Sequence, residues 1–358
     1  MLLRGFPAPI NGSIRMREQP NVTDCASVSR LQWGDAARGI GIQLVVVGHV
    51  VAGLVGAGLA DLWKDGLLAV IKVIYSFHMA VFFLLSGAFA RSLSAAPDRH
   101  YLAGKTRSLL YPYLVWGVLQ ISLQVLMDDV TNKSTTWSDL IKLAYDPPMQ
   151  FWFNYVLFIS FVLYVLVGRG AGVWGFVIAT FAISFALALA GIEDYWLPEL
   201  RDNLPLFALG VVAGSVKGCV KNVSNWKLLC VIVCGYGLTI SLHWLLSPGY
   251  LYTIFTSLAG ASATFALAEV LVRGRKSRWF EFVGRMSLEI YLAHVIAYAG
   301  VRIALLSVFG IHSFPVHLVL GTVAGVAGPI LLALAANGVG FGFLFRWPRT
   351  APLTPAAR

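Results

Sequence analysis

The sequence is poor in charge, above all in acids, and poor in cysteine. Asp and Glu together number 17 and Lys and Arg 27 among 358 residues, so only 12% of the chain is charged. A soluble domain normally carries charge on about a quarter of its residues to build a polar shell, and this composition excludes one. The four cysteines, Cys25, Cys219, Cys230 and Cys234, form no Cys/His cluster with metal spacing. A disulfide scaffold and a structural zinc site are thereby excluded as the organising principle, and no metal is expected. The first thirty residues contain no apolar core of the kind a cleaved signal peptide needs. The first membrane helix is expected to act as its own signal. Gly338, Gly340 and Gly342 follow no strand, so they are not a dinucleotide loop.

What is abundant is apolar. Hydrophobic residues make up 58% of the chain, the mean hydropathy is +0.75, and the apolar residues come in blocks. Several blocks reach the roughly 20 residues that cross a hydrocarbon core of about 30 Å. They predict an all-α, polytopic membrane protein, a bundle of about ten transmembrane helices. The expected spans are 39–57, 66–90, 109–127, 151–167, 173–191, 204–216, 228–246, 251–272, 286–308 and 316–341. Residues 1–30 read as a basic cytoplasmic tail, 31–346 as the membrane domain and 347–358 as a second tail. Gly321 and Gly325 form a GxxxG pair, which predicts a packing contact.

The net charge of +10 follows the loops. Arg91, Arg99, Lys105 and Arg107 lie in one loop, Lys217, Lys221 and Lys227 in another, and Arg273, Arg275, Lys276 and Arg278 in a third. The loops between these are acidic or nearly neutral, as with Glu193, Asp194, Glu199 and Asp202. By the positive-inside rule the basic loops and both termini face the cytoplasm, which requires an even number of spans. The charge is that of membrane topology, not of nucleic-acid binding.

Ionisable groups inside the bilayer are expensive, so those that occur there are site candidates. Arg38 and His49 are 11 residues apart, which on a helix is three turns plus about 20°. Both therefore point to one face of the first span, Arg38 at the cytoplasmic interface and His49 near mid-bilayer. Position alone also allows Arg38 to be an interfacial anchor. His78 lies midway along the second span, at a depth where it can pair with His49. Ser86-Gly87 closes that span, where small residues favour close helix packing. Ser287, Glu289, Tyr291 and His294 open the ninth, with Tyr291 and His294 on one face. Glu269, Arg302 and His243 lie near span ends, where interfacial roles are expected. A mid-membrane histidine beneath a basic rim suits group transfer from a polyanionic donor. The same residue types also suit a proton-coupled transporter or a glycan flippase.

Several elements resemble a known family. Trp33-Gly34-Asp35-Ala36-Ala37-Arg38-Gly39-Ile40, followed by Val47-Gly48-His49, is similar to the opening of the acyltransferase-3 family of membrane acyltransferases, in which an Arg and a His are also separated by ten residues. Ser76-Phe77-His78-Met79 through Phe82-Phe83-Leu84-Leu85-Ser86-Gly87 resembles its second span, especially in the fucose 4-O-acetylase-like branch. Arg107 with Leu109-Leu110-Tyr111-Pro112-Tyr113, Phe151-Trp152-Phe153, and Ser287 with Ile290-Tyr291-Leu292-Ala293-His294 resemble three later elements. The resemblance covers about 31–345. It departs at Ala80, where this branch often has proline, and at Asn154, where apolar residues are commoner.

The resemblance implies acyl transfer, usually of acetyl from acetyl-CoA, to a hydroxyl of a cell-envelope or exported glycan, such as an exopolysaccharide or O-antigen. It implies residence in the bacterial cytoplasmic (inner) membrane. The expected acceptor is a glycan or lipid-linked glycan, the surroundings are membrane lipids, and other envelope-polysaccharide biosynthesis proteins are candidate partners. On this reading His49, Arg38 and His78 are catalytic. His49 acts either as general base or as transient acyl carrier. Arg38, Arg91, Arg107, Arg273 and Arg275 meet the donor phosphates. Ser86, Tyr291 and His294 support the site, and Trp137, Phe151 and Trp152 hold the glycan.

Overall fold

The structure, a computed structural model, describes residues 22–90 (side chains from 32), 98–127, 134–215 (side chains to 214), 223–247 and 249–348. Among the described residues all regular structure is helical. Arg91 lies outside them, as do Cys219 and most of the Lys217–Lys227 loop.

The first crossing is α1 (Val22–Gly56), whose helix begins well before the expected residue 39. The second is not one helix but two, α2 (Lys64–Tyr75) and α3 (His78–Ala90), broken at Ser76 and Phe77. α4 (Asp98–Lys105) runs through a π-turn at Thr106–Leu110 into α5 (Tyr111–Leu126). A short loop helix, α6 (Asp139–Lys142), precedes α7 (Trp152–Leu163). Then come α8 (Arg169–Ala190), α9 (Leu197–Ser215), α10 (Asn225–Leu245) and α11 (Tyr250–Arg273). The chain closes with α12 (Arg278–Arg285), α13 (Ser287–Ser307) and α14 (Phe314–Gly338).

Among the described residues eight stretches are long and apolar enough to cross a membrane. One of them, Met149–Ala190, has 42 residues. At 1.5 Å per residue that is about 63 Å, twice the hydrocarbon thickness. It is interrupted by a π-turn at Tyr164–Gly168 and by Gly172 at φ 72° and ψ 178°, a conformation open to glycine. It therefore crosses twice. Helix directions then fix the count. α3 and α9 run parallel, with Gly210 against Leu84 and Gly214 against Ala88. Since α3 is the second crossing, α9 must be an even one, the sixth. α1 and α13 also run parallel, His49 meeting His294 and Gly53 meeting Tyr298, which makes α13 the ninth crossing only if α9 itself spans. Ten crossings result, as the charge alternation predicts.

Small residues set the tightest contacts, since lipid offers no hydrophobic gain for helix association and close backbone approach must supply the attraction. A Cβ at Gly87 would collide with the Phe207 carbonyl, one at Gly210 with that of Leu84, and one at Gly214 with that of Ala88. The expected pair Gly321 and Gly325 packs on Val50 and Val46 of α1. α12 crosses α1 just as closely, Gly284 lying on the Asp35 carbonyl and Gly39 on that of Phe280. This helix was not expected. Its Glu281, Val283 and Gly284 are buried, while Trp279 and Phe282 are exposed at i, i+3, the arrangement of a helix lying along the membrane interface. The C-terminal segment folds back onto the bundle. Arg346 pairs with the buried Glu289 at 2.9 Å, and Trp116 donates its indole N–H to the Leu344 carbonyl at 2.8 Å.

Gly87→Leu and Gly284→Val should each destabilise the folded protein by about 3 kcal/mol or more, because backbone rather than a flexible side chain is in the way. The measurement is the thermal midpoint of the detergent-solubilised protein, with Gly66→Ala, which meets open space, unchanged.

Candidate active site

Arg38, Ile42, Val45 and His49 recur at helical spacing on α1, and all four line cavities. The guanidinium and the imidazole therefore share one stripe of the first helix, as their spacing requires. Arg38 pairs with Asp35 at 2.8 Å and stands over the Phe89 ring at 5.3 Å. Lys105 is close enough for its charge to repel that of Arg38, and its ammonium sits 3.7 Å above the Phe161 ring.

The break in the second crossing faces this stripe. The Ser76 carbonyl, which the break would leave without its helical partner, accepts the Ser257 hydroxyl at 2.8 Å. Broken helices persist at membrane depth only where the freed groups are paired or face a cavity. Here Ser76, His78, Met79 and Ala80 all line one.

Three histidines are held in the same way. The Nδ1–H of His49 donates to the Val45 carbonyl at 2.9 Å, that of His78 to Ile74 at 3.0 Å, and that of His294 to Tyr291 at 2.8 Å. A carbonyl can only accept, so each Nδ1 carries a proton, and in the neutral imidazole each Nε2 presents a lone pair. Its depth along the second span put His78 forward as a partner of His49. In the structure the ring in contact with His49 is that of His294, edge-on with centroids 5.0 Å apart. His78 is linked through Tyr75, whose ring lies 5.9 Å from His49 and 5.0 Å from His78. His294 is fully buried, and its Nε2 has no hydrogen-bond partner.

Two chambers adjoin along α1. The first, about 140 Å³, is lined by Arg38, Ser86, Asn154 and Ser287 among others. The second, about 240 Å³, is lined by His49, Tyr75, His78, Trp152, Glu199 and Asp202 among others. Val45, Met79 and Tyr291 belong to both, so a single layer of side chains separates them. The Tyr291 hydroxyl donates to the Gln150 carbonyl, which pins the ring in that partition. Asn154 donates its amide to the Leu109 carbonyl at 3.4 Å, leaving Oδ1 buried without a partner on the Arg38 side.

The other expected residues fall differently. Trp152 lines the His49 chamber, but Phe151 is wholly buried against Tyr113 and Tyr291, and Trp137 is 54% exposed on the loop, away from both chambers. Ser86 lines the Arg38 chamber. Arg107 stands over the Trp347 ring at 5.8 Å, and Arg275 is exposed. Arg273 is bound to Glu269 at 2.7 Å and to the Val223 carbonyl at 2.6 Å. None of these three arginines lines either chamber. Arg302, near the end of α13, is turned into the bundle rather than outward. It is 6% exposed and donates to the Gly53 carbonyl at 3.1 Å. Sequence reasoning passed over Tyr75, Gln150 and Asn203, and took Glu199 and Asp202 for loop charge. The usable signal was a run of polar residues at the start of a span too short to cross without them. Among the described residues no group of three His, Cys, Asp or Glu is placed to hold a metal ion.

Two chambers parted by one layer of side chains, the larger of them lined by His49, make a candidate site for group transfer inside the helical bundle. The profile of a family described as an acyltransferase domain matches residues 31–334, most of the chain, which therefore belongs to the acyltransferase-3 family. It is a membrane acyltransferase. The chain is similar to the nodulation protein NolL of Mesorhizobium japonicum, 25% identical over 351 residues, covering 90% of this chain and 91% of that protein. It is also similar to the nodulation protein NolL of Sinorhizobium fredii, 26% identical over 202 residues, covering 56% of this chain and 53% of that one. No solved structure matches.

Tyr291→Phe deletes the hydroxyl's bond to the Gln150 carbonyl, which helps to hold the partition ring. It should lower stability by about 1 kcal/mol, the net worth of a buried hydrogen bond. The check is the thermal midpoint of the purified protein, compared with Tyr145→Phe on an exposed loop.

Proposed function

We propose that the protein moves an acetyl group from cytoplasmic acetyl-CoA to a hydroxyl of a cell-envelope or exported glycan, in the bacterial cytoplasmic membrane. The observation that carries this reading is the position of His49, with a bare Nε2, in the wall of the larger chamber and on the same helical stripe as Arg38, one layer of side chains from the chamber that Arg38 lines. The donor enters on the Arg38 side. Arg38 and Lys105 supply positive charge for its phosphates at that mouth, a role in which Arg38 offers a planar, two-pronged contact. Asn154, with its unpaired Oδ1 in the wall, fits the amide-bearing arm of such a thioester. The His49 chamber receives the acceptor.

His49 Nε2 takes the hydroxyl proton as the oxygen bonds to the thioester carbonyl carbon. The carbon–sulfur bond then breaks, and the proton passes from Nε2 to the departing thiolate, so that an ester and a free thiol leave the site. The Val45 carbonyl stabilises the imidazolium formed in between, through the Nδ1–H that it already accepts. His294 and His78, both neutral acceptors at Nε2, surround His49 without competing for the hydroxyl through positive charge.

His49→Ala should abolish transfer of radiolabel from acetyl-CoA to glycan in isolated membranes, a fall of about a hundredfold or more, as expected for loss of a general base. Undiminished labelling would refute the assignment. Arg38→Lys keeps the charge but loses the fork, and should raise the acetyl-CoA KM at least about tenfold. Wild-type kinetics in that variant would reduce Arg38 to an interfacial anchor. Acetyl-CoA should also protect the purified protein from heat, as a glycan flippase has no cause to be protected.

A further inference from the structure

The wall of the larger chamber away from Arg38 is made of α9, and it is built almost wholly of hydrogen-bond acceptors. Glu199 Oε2 is buried there without any partner. Asn203 is nine-tenths buried, and its amide nitrogen donates to the Glu199 backbone carbonyl at 2.8 Å, which leaves Oδ1 and the second amide N–H uncommitted. His78, 5% exposed, offers Nε2 as a lone pair for the reason already given. Asp202 also lines the chamber, its charge balanced by Arg201 at 2.8 Å. The hydroxyls that might have donated are engaged elsewhere. Ser76 donates to Val73, Ser257 to Ser76, Thr253 to Gly249 and Tyr291 to Gln150, all backbone carbonyls. Tyr75, the Trp152 indole and the second N–H of Asn203 are the donors that line the chamber with no bond of that kind among the described residues.

An unpaired buried carboxylate oxygen is costly, and what relieves it is a ligand that brings donors. A phosphate or a carboxylate brings only acceptors and meets repulsion. A polyol brings several O–H groups, and an aromatic wall such as Trp152 covers the apolar face of a sugar ring. The volume, about 240 Å³, lies below the roughly 300 Å³ at which drug-sized pockets begin, so it suits one ring rather than an oligosaccharide.

We infer that Glu199, with Asn203 and Asp202, forms a hydroxyl-reading subsite that selects an uncharged sugar ring at the point of acylation and rejects uronic acids and phosphorylated sugars there. The inference rests on the acyl-transfer reading for its reaction and adds the residues and the charge rule of acceptor choice. Glu199 is a specificity-determining residue: it orients the ring so that one hydroxyl faces His49.

The test uses the full-length protein in detergent with acetyl-CoA and three soluble probes, methyl α-L-fucoside, methyl β-D-glucoside and methyl β-D-glucuronide. The wild type should acetylate the better neutral glycoside with a kcat/KM at least ten times that for the glucuronide. Glu199→Gln should raise the KM for that glycoside tenfold or more and shrink the discrimination, while the acetyl-CoA KM stays within twofold. Neutral glycosides should also raise the thermal midpoint of the wild type without acetyl-CoA, and fail to do so for the variant. An unchanged glycoside KM in Glu199→Gln, or a wild-type preference for the glucuronide, overturns the inference and leaves acyl transfer intact. Protection by neutral glycosides without any acetylation overturns the acyl-transfer reading and keeps the subsite. Neither protection nor acetylation overturns both. Should Glu199→Gln lose acetyl-CoA protection through misfolding, Asn203→Leu carries the same expectations.

Discussion

The hydrogen bond from His49 Nδ1–H to the Val45 carbonyl, one turn back on the same helix, is the interaction on which the site depends. It gives a polar ring at membrane depth one satisfied nitrogen without recruiting another helix. It fixes which nitrogen holds the proton, and it aims the other. A water-exposed histidine would exchange tautomers freely, whereas this one has a single favourable state because no other acceptor competes for Nδ1. His78 and His294 repeat the device on two other helices, so the centre of the bundle holds three imidazoles whose Nδ1 is committed to backbone in the same way.

That arrangement requires helices that approach closely and stay put. Glycine contacts clamp α3 to α9 and α1 to α12, which sets the spacing between the Arg38 stripe, the break at Ser76–Phe77 and the polar start of α9. The cost of breaking the second crossing is kept low by Ser257, which caps the Ser76 carbonyl, and by the chamber onto which the break opens. Packing and chemistry are thus the same problem here: the residues that make room for the chamber are those that hold its walls together.

Much of this was legible in the sequence. The number and order of crossings followed from apolar runs and from the alternation of loop charge, because both are imposed by the bilayer on every segment. The shared face of Arg38 and His49 followed from helical periodicity. What sequence could not show was which residues from different helices meet. His294 rather than His78 touches His49 because α13 runs beside α1, a fact of packing with no local signature. Arg273 satisfies Glu269 and a loop carbonyl, although its position in a basic loop resembled that of a phosphate ligand. The interfacial helix α12 was too short to register as a span, and its alternation of Trp279 and Phe282 with buried Glu281 and Gly284 has meaning only once α1 lies beneath it. Glu199 and Asp202 looked like loop charge because α9 is the least apolar of the crossings.

The single layer formed by Val45, Met79 and Tyr291 has a consequence for how such a protein changes over time. On the proposed reading, donor and acceptor contacts lie on opposite sides of that layer and on different helices, so substitutions along α9 would retune which sugar is modified while leaving the thioester side untouched. Novel surface decorations would then be reachable by drift in one helix, without a passage through inactive intermediates.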